Sequence, residues 1–509
     1  MIHTPSATKT ATLDAVLLGT VLSQRAALDP DALAFAHDAG HITYRQLDEE
    51  AGAIAAGLIR MGIRPGDRVA LILPAGLDFA RCFWGVQRAG AVSVAFNPYT
   101  PAATAVARAA RIRPSLTLLS SIDANFAREA AIAGLRCTTL DEVPRVAEDP
   151  PRLDVDPEGF AFFQPTSGTS GESRAVMIRH RNVMAVLRGY REAYYIDPKD
   201  VLVSWVPPWH DLGLVRFMIG SVYNGAACHI VTPSIQTIPR WLETITKVRG
   251  TISGAPDFAY RLAARFADPS AIDLSSVRWM TNGGEPVRLS TIEAFETRFA
   301  CPGVVCPGYG LAEATLGVTC IRPGETIRVD ERGNVSCGKA LPGVEVRIDA
   351  SGEILVRGDG VFAGYFDAPE ATAETLRDGW LHTGDIGRLD PNGELYILGR
   401  RRAMLKRGGA VLAPRELEEA AQKIDGVRIA AAVGMARRDE SMTEEIVLAI
   451  EIDAGDPDAI SAAVAQEVHR TLGFAPDRVI VLPPRAIPRT YNGKIRHDAL
   501  RQELWTKWT

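Results

Sequence analysis

Apolar and polar positions along the chain repeat with two periods. In ITYRQLDEEAGAIAAGLIRMG (42–62) apolar residues recur at helical spacing from Leu47 to Met61 and stop at Gly62. That pattern predicts an amphipathic helix. DRVALILP (67–74) reads as a buried strand, GLDFARCFWGVQRAG (76–90) as a helix, and AVSVAF (91–96) as a strand again. Strand–helix–strand alternation predicts an α/β fold with parallel-rich sheets. Further strands are expected at 201–206, 228–232 and 277–280. Ligands in such sheets bind on loops leaving the strand ends. From about residue 344 the pattern changes to short alternating strands, VEVRI, GEILVRG and GELYILG. Residues 411–509 read as a small separate α+β unit. Its helix at 414–424 opens with Pro414, suited to a first helical position. Strands at 429–435 and 446–452, a helix near 459–472 and a strand at 478–482 follow. The junction LGRRRAMLKRGG (398–409) has the composition of a linker, although such a basic run is more often a solvated surface turn.

Composition narrows the class. A chain of 509 residues is too long for one core. Hydrophobic content of 47% with 23% charged residues is that of a globular protein. The net charge of −5 gives no reason to expect nucleic acid or an anionic membrane as partner. No long uninterrupted apolar stretch suggests a membrane span, and the N-terminus lacks a signal-peptide core. The cysteines at 82, 137, 228, 301, 306, 320 and 337 are odd in number and form no CxxC pair. Neither a zinc site nor a disulfide framework is indicated, and a reducing, cytoplasmic location is expected.

Candidate chemistry begins at FFQPTSGTSGESRAVMIRHRNV (162–183), where a loop of Gly, Ser, Thr and Glu separates two apolar runs. Glycine lets backbone N–H groups converge, and hydroxyls add donors, so such a loop suits an anion, phosphate above all. GxxxxGK[ST] is absent, which excludes the P-loop of NTPases. Taken alone, the octamer reads equally well as a surface turn.

Four more stretches stand at intervals: NGGEPV (282–287), GYGLAEAT (308–315), WLHTGDIG (380–387) with GR at 399–400, and PRTYNGKIRH (488–497). With TSGTSGESR, this ordered set resembles the adenylate-forming superfamily of acyl-CoA synthetases, luciferases and adenylation domains, from about residue 15 to the C-terminus. SWVPPWHDLGL (204–214), GAPDFAYRLAARF (254–266), GYGLAEATLGVT (308–319) and VSCG (335–338) are most similar to fatty acyl-AMP ligases. The resemblance implies a large N-terminal domain of several subdomains with a small β-barrel-like part, residues 1–400. A small mobile C-terminal domain, 401–509, would carry a catalytic lysine. It implies ATP and Mg²⁺ as cofactors and a carboxylic acid, a fatty acid, as substrate. The acid becomes acyl-AMP with loss of pyrophosphate, and a thiol of an acyl carrier protein or CoA then displaces AMP. A carboxylate needs this activation because its leaving group would otherwise be oxide.

Residue roles follow from the same resemblance. Thr166, Ser167, Gly168, Thr169, Ser170, Gly171 and Arg174 would cradle the ATP phosphates. Glu313 would ligate Mg²⁺, a hard cation that prefers carboxylate oxygen; a helix N-terminal acid is the other reading. Tyr309 and Gly310 would flank the adenine, with the backbone of Gly283, Gly284 and Glu285 on its other side. Asp385 would take the ribose hydroxyls, and Arg400 would add a contact. Lys494 would reach the α-phosphate and the substrate carboxylate from the small domain. Arg402 is the expected hinge, with Lys406 and Gly409 entering the site for thiol attack. His210 would gate the thiol route or hold the carboxylate, or else pack in a core; Trp205 and Trp209 would line an acyl pocket or fill a core.

Three departures stand out. Ser173-Arg174 replaces the usual Pro-Lys, Ala312 replaces the usual Thr, and only Leu316 to Val335 separate EAT from SCG, where fatty acyl-AMP ligases usually carry an insertion. The alternatives are an acyl-CoA or aryl-CoA ligase using free CoA, and a silent relative that binds nucleotide or acyl ligand. Retention of Glu313, Asp385, Arg400 and Lys494 together favours the enzyme.

Overall fold

The computed structural model describes residues 13, 15–38, 40–145, 154–166, 174–407, 410–436, 444–489 and 495–508. Two parallel-rich sheets form the large N-terminal part. The nine-stranded sheet runs Lys339–Ala340, Gly317–Cys320, Val305–Gly310, Trp279–Asn282, Ile252–Ala255, Val201–Ser204, Ala227–Ile230, Leu33–His37, Gly40–Thr43 in space. Its six central strands are parallel and its edges antiparallel. The six-stranded sheet runs Cys137–Thr139, Leu116–Leu119, Arg68–Ile72, Val92–Ala95, Phe160–Thr166, Arg174–Arg179, and only its last pair is antiparallel.

The expected elements are present with shifted ends. The first amphipathic helix runs Tyr44–Arg60, starting before Leu47 because Thr43 and Gln46 cap it reciprocally. The strand expected at 277–280 is Trp279–Asn282, so NGGEPV begins on its last residue. The strands expected at 201–206 and 228–232 end early, at Ser204 and Ile230. The part expected to be barrel-like is a five-stranded antiparallel sheet built around the long strand Trp380–Leu389.

A smaller C-terminal domain follows. Its sheet contains Val427–Ala436, Glu444–Ile452 and Arg478–Leu482. Leu417 and Ala420 of helix Pro414–Gln422, with Val464 and Val468 of helix Pro457–Leu472, cover one face. Leu500 and Leu504 of helix His497–Trp508 cover the other. No described helix is long and apolar enough to cross a membrane. All seven cysteines are free thiols, six of them buried and Cys137 partly so.

Candidate active site

The parallel strands Val201–Ser204, Ile252–Ala255, Trp279–Asn282 and Val305–Gly310 deliver four of the quoted stretches from their C-terminal ends, where α/β sheets bind ligands. Tyr309 lies on the last of these strands, and its hydroxyl donates to Asp385 Oδ2 at 2.6 Å. Asp385 is buried, at 4% exposed. It stands opposite Arg400 across the antiparallel pair of Trp380–Leu389 and Leu395–Arg400. Arg400 Nε lies 2.8 Å from Asp385 Oδ1. A buried carboxylate is costly unless bonded, and here both oxygens are engaged. Burial and the neighbouring Asp385 charge raise the Tyr309 pKa, which keeps the phenol a neutral donor. Three separate sequence stretches, GYGLAEAT, HTGD and GR, thus meet in one bonded set.

Glu313 sits in a 3-10 turn, Ala312–Ala314, so it does not open an α-helix. Its Oε1 accepts from the Tyr365 hydroxyl at 2.7 Å. The Arg174 guanidinium lies over the Tyr365 ring, 5.2 Å from its centroid. Tyr365 reaches both because residues 363–366 run beside Arg174–Arg179. Met177 N–H donates to Gly364 O, and Ala363 and Phe366 N–H groups donate to Met177 O and Ala175 O. Nothing in the sequence pointed to Tyr365. Its pKa is raised by burial and then by Glu313.

Gly310 is required by close approach: a Cβ there would lie 1.8 Å from Leu316 O, just before the returning strand Gly317–Cys320. Gly284 has φ +82°, a left-handed conformation that favours glycine. Gly283 follows Asn282 at the strand end. The Glu285 carboxylate accepts the Phe258 N–H at 2.6 Å, which serves the first turn of helix Asp257–Phe266. Asp257 fixes the same loop, accepting from Asn282 Nδ2, Arg288 N–H and Thr291 Oγ1.

His210 follows Val201–Ser204, and its Nδ1 is 2.6 Å from Asp211 Oδ1. Its side chain is 32% exposed, with Nδ1 buried. Gln164 Nε2 donates to Trp209 O, tying this loop to strand Phe160–Thr166. Trp209 meets Tyr99 edge-on at 5.8 Å. Trp205 fills a core against Trp241 and Phe258, with its indole N–H on Ser234 O and Thr237 Oγ1.

Thr166 ends its strand, and its hydroxyl donates to Arg174 O at 3.3 Å, closing the base of the glycine loop. Ser167, Gly168, Thr169, Ser170, Gly171, Gly409 and Lys494 lie outside the described residues. Arg402 is exposed on the turn Arg401–Ala403, and Lys406 lies on strand Leu405–Arg407. Beside Arg402, Arg401 Nη1 lies 3.1 Å from Glu353 Oε2, and Glu353 Oε1 accepts the Gly384 N–H at 2.9 Å. The expected hinge is thereby tied to the turn that presents Asp385. Across the seam to the C-terminal domain, Glu419 Oε1 faces Arg288 Nε at 3.3 Å, and Arg415 donates to Val287 O at 2.7 Å.

Comparison with known proteins agrees with this arrangement. Residues 22–366 match the family model described as AMP-binding enzyme. A long-chain-fatty-acid–AMP ligase, FadD26 of Mycobacterium marinum, is 29% identical over 93% of this chain and 92% of its own. FadD21 of Mycobacterium tuberculosis, which is named as a fatty-acid–CoA ligase, is 30% identical over 94% of this chain and 96% of its own. Among solved structures, a fatty acyl-adenylate ligase, from a study of the E. coli and L. pneumophila enzymes, superposes with a TM-score of 0.86. It is 26% identical, covering 98% of this chain and 99% of that one. The fold is that of an adenylate-forming ligase, a class that uses ATP. The chain belongs to the AMP-binding enzyme family, and within it to the ligases of acyl-AMP and acyl-CoA type.

Proposed function

We propose that the protein activates a carboxylic acid of the fatty-acid class to acyl-AMP with release of pyrophosphate, then passes the acyl group to the phosphopantetheine thiol of a carrier protein. The observation that carries this reading is the Tyr309–Asp385–Arg400 set. It presents a carboxylate and a guanidinium beside an aromatic ring, the chemistry a ribose and a base require. Thr166 and Arg174 hold the base of the phosphate loop, and Arg keeps the charge of the usual Lys with a bidentate fork. Glu313 fits magnesium: it is a half-buried hard donor, held in place by Tyr365 through one oxygen. The ion would supply charge for the phosphates, with Glu313 as the protein's ligand.

Attack of one anion on another requires positive groups where charge gathers. Lys494 serves this step from the C-terminal domain as a compact ammonium. We place the division of the chain between Arg400 and Arg401. Rotation about Arg402 withdraws Lys494 and brings in Lys406 and Gly409, where the missing side chain of glycine leaves room for a pantetheine arm. Such gating lets one site run two steps in turn. His210, half-exposed beside Asp211, is placed at the acyl carboxylate. A reducing, cytoplasmic setting fits the free thiols.

The short stretch from Leu316 to Val335 favours a second reading in which free CoA is the acceptor. The test is ATP–pyrophosphate exchange over a panel of acids, followed by CoA or holo carrier protein as acceptor. Exchange that depends on an acid supports the reading. Acyl-CoA formation without carrier loading moves the second reading to first place.

A further inference from the structure

Residues Leu212–Ile219 form a π-type helix, a wide-turned form that recurs at functional sites. It starts two residues after His210 and is buried along its whole length. Its one charged residue, Arg216, is 5% exposed. Nη1 donates to Thr281 Oγ1 at 2.6 Å. The guanidinium lies over the rings of Tyr190, Trp279 and Tyr194, at 4.0, 5.0 and 5.1 Å. No carboxylate pairs with it among the described residues. Rings replace only part of the hydration a buried cation loses, and buried charges ordinarily have a charged partner.

The neighbours share the same deficit. The Tyr194 and Trp279 rings stack at 4.1 Å. The Arg216 Nε and the Trp279 indole N–H are buried without a hydrogen-bond partner among the described residues, and the Tyr194 hydroxyl faces the Cys320 thiol. Both unmatched groups are donors, and the acceptors at hand are neutral hydroxyl oxygens of Thr281, Tyr190 and Tyr194, so the cluster lacks an anionic acceptor. A carboxylate, with two oxygens and no hydrogen, is its chemical complement. Position links the cluster to the active site. Thr281 immediately precedes Asn282 and Gly283, and the helix of Arg216 extends from the His210 loop.

We propose that Arg216 pairs with a second, distal carboxylate of the acid, so that the protein selects an α,ω-dicarboxylic acid over the matching alkyl acid. This rests on the adenylation reading. One carboxylate lies at His210 to be adenylated, and the other ends the chain among Arg216, Trp279 and Tyr194. A plain alkyl end there would leave the Arg216 Nε and the Trp279 N–H unmatched, and a site built around a polar group rejects the analogue that lacks it.

The test is pyrophosphate exchange with matched pairs: hexanoate and adipate, octanoate and suberate, decanoate and sebacate. One diacid is expected to exceed its monoacid in kcat/KM by about 10²-fold or more. Arg216→Met is expected to reverse that preference while keeping monoacid exchange. A purely structural arginine would lower both acids together. Wild-type preference for monoacids at every length, or an unchanged ratio in the variant, overturns the proposal. Should Arg216→Met fail to fold, Thr281→Val serves instead, with the diacid preference expected to fall several-fold and an unchanged ratio overturning the idea. If the wild type exchanges no acid, the adenylation reading fails by itself. Calorimetry with the diacids then decides the Arg216 site, since saturable binding supports it and no binding overturns it.

Discussion

Asp385 and Glu419 each hold an arginine, under different conditions. The Asp385 side chain is 6% exposed, and Tyr309 holds it from the opposite side to Arg400. Glu419 is 31% exposed and meets Arg288 across the seam between the two domains and Arg415 one turn back on its own helix. The next pair across that seam, Arg265 and Asp453, is longer at 3.7 Å and exposed on both sides. Breaking a buried set leaves groups that water cannot reach, whereas opening the seam hands its charges to solvent at about 0–1 kcal/mol per pair. The buried set is the costlier of the two to break and the seam the cheaper, as the proposed two-pose cycle requires.

The comparison breaks most completely at Lys494. Lys494→Ala is expected to slow acyl-AMP formation on the order of 10³-fold, while thioester formation from supplied acyl-AMP persists. Gly409→Trp is the converse, with acyl-AMP accumulating and transfer blocked. Equal loss in both half-reactions of either variant would show that the two poses do not divide the chemistry. Glu313→Gln comes next, with exchange falling on the order of 10²-fold and recovering partly at high magnesium. The Tyr365 hydroxyl can still donate to the amide oxygen, so melting should change little. A magnesium titration identical to wild type would remove Glu313 from the metal.

Asp385→Asn tests the buried side directly. The expected cost is about 1–2 kcal/mol in urea unfolding, with KM for ATP raised about tenfold. Glu419→Ala tests the seam and should give the smallest effect, below about 1 kcal/mol. Its signature is a modest gain in the transfer step, reproduced in wild type by added salt. A stability loss as large as that of Asp385→Asn would erase the distinction between the regions.

Legibility in the sequence follows the same division. Strand Arg478–Leu482 matches the expected 478–482, since a compact apolar run has clear ends. Trp279–Asn282 was shifted because Val277 is apolar and buried yet precedes the strand. Leu212–Ile219 showed no period because seven of its eight residues are apolar and its turns are wide. At the site, Tyr309, Asp385 and Arg400 were readable because their motifs are dense in glycine and charge. Tyr365 was not: it meets Glu313 across 52 positions through a segment lying beside another strand. Glu353 was hidden too, because GEILVRG reads only as an alternating strand, and its contacts with Gly384 and Arg401 exist only in three dimensions.

The burial of the thiols decides how the acceptor can be watched. Burial pushes Cys82, Cys301 and Cys337 up to about 12 and raises Cys137 as well. Only a thiolate attacks a disulfide dye, so the folded enzyme stays almost colourless beside one. Aliquots mixed with a chromogenic disulfide after quenching then report the pantetheine sulfhydryl still free, and the fall in colour from one aliquot to the next traces each acyl group as it leaves AMP. Unfolding reverses the picture, since seven sulfhydryls then colour together, and the same dye that follows turnover becomes a gauge of the intact fold.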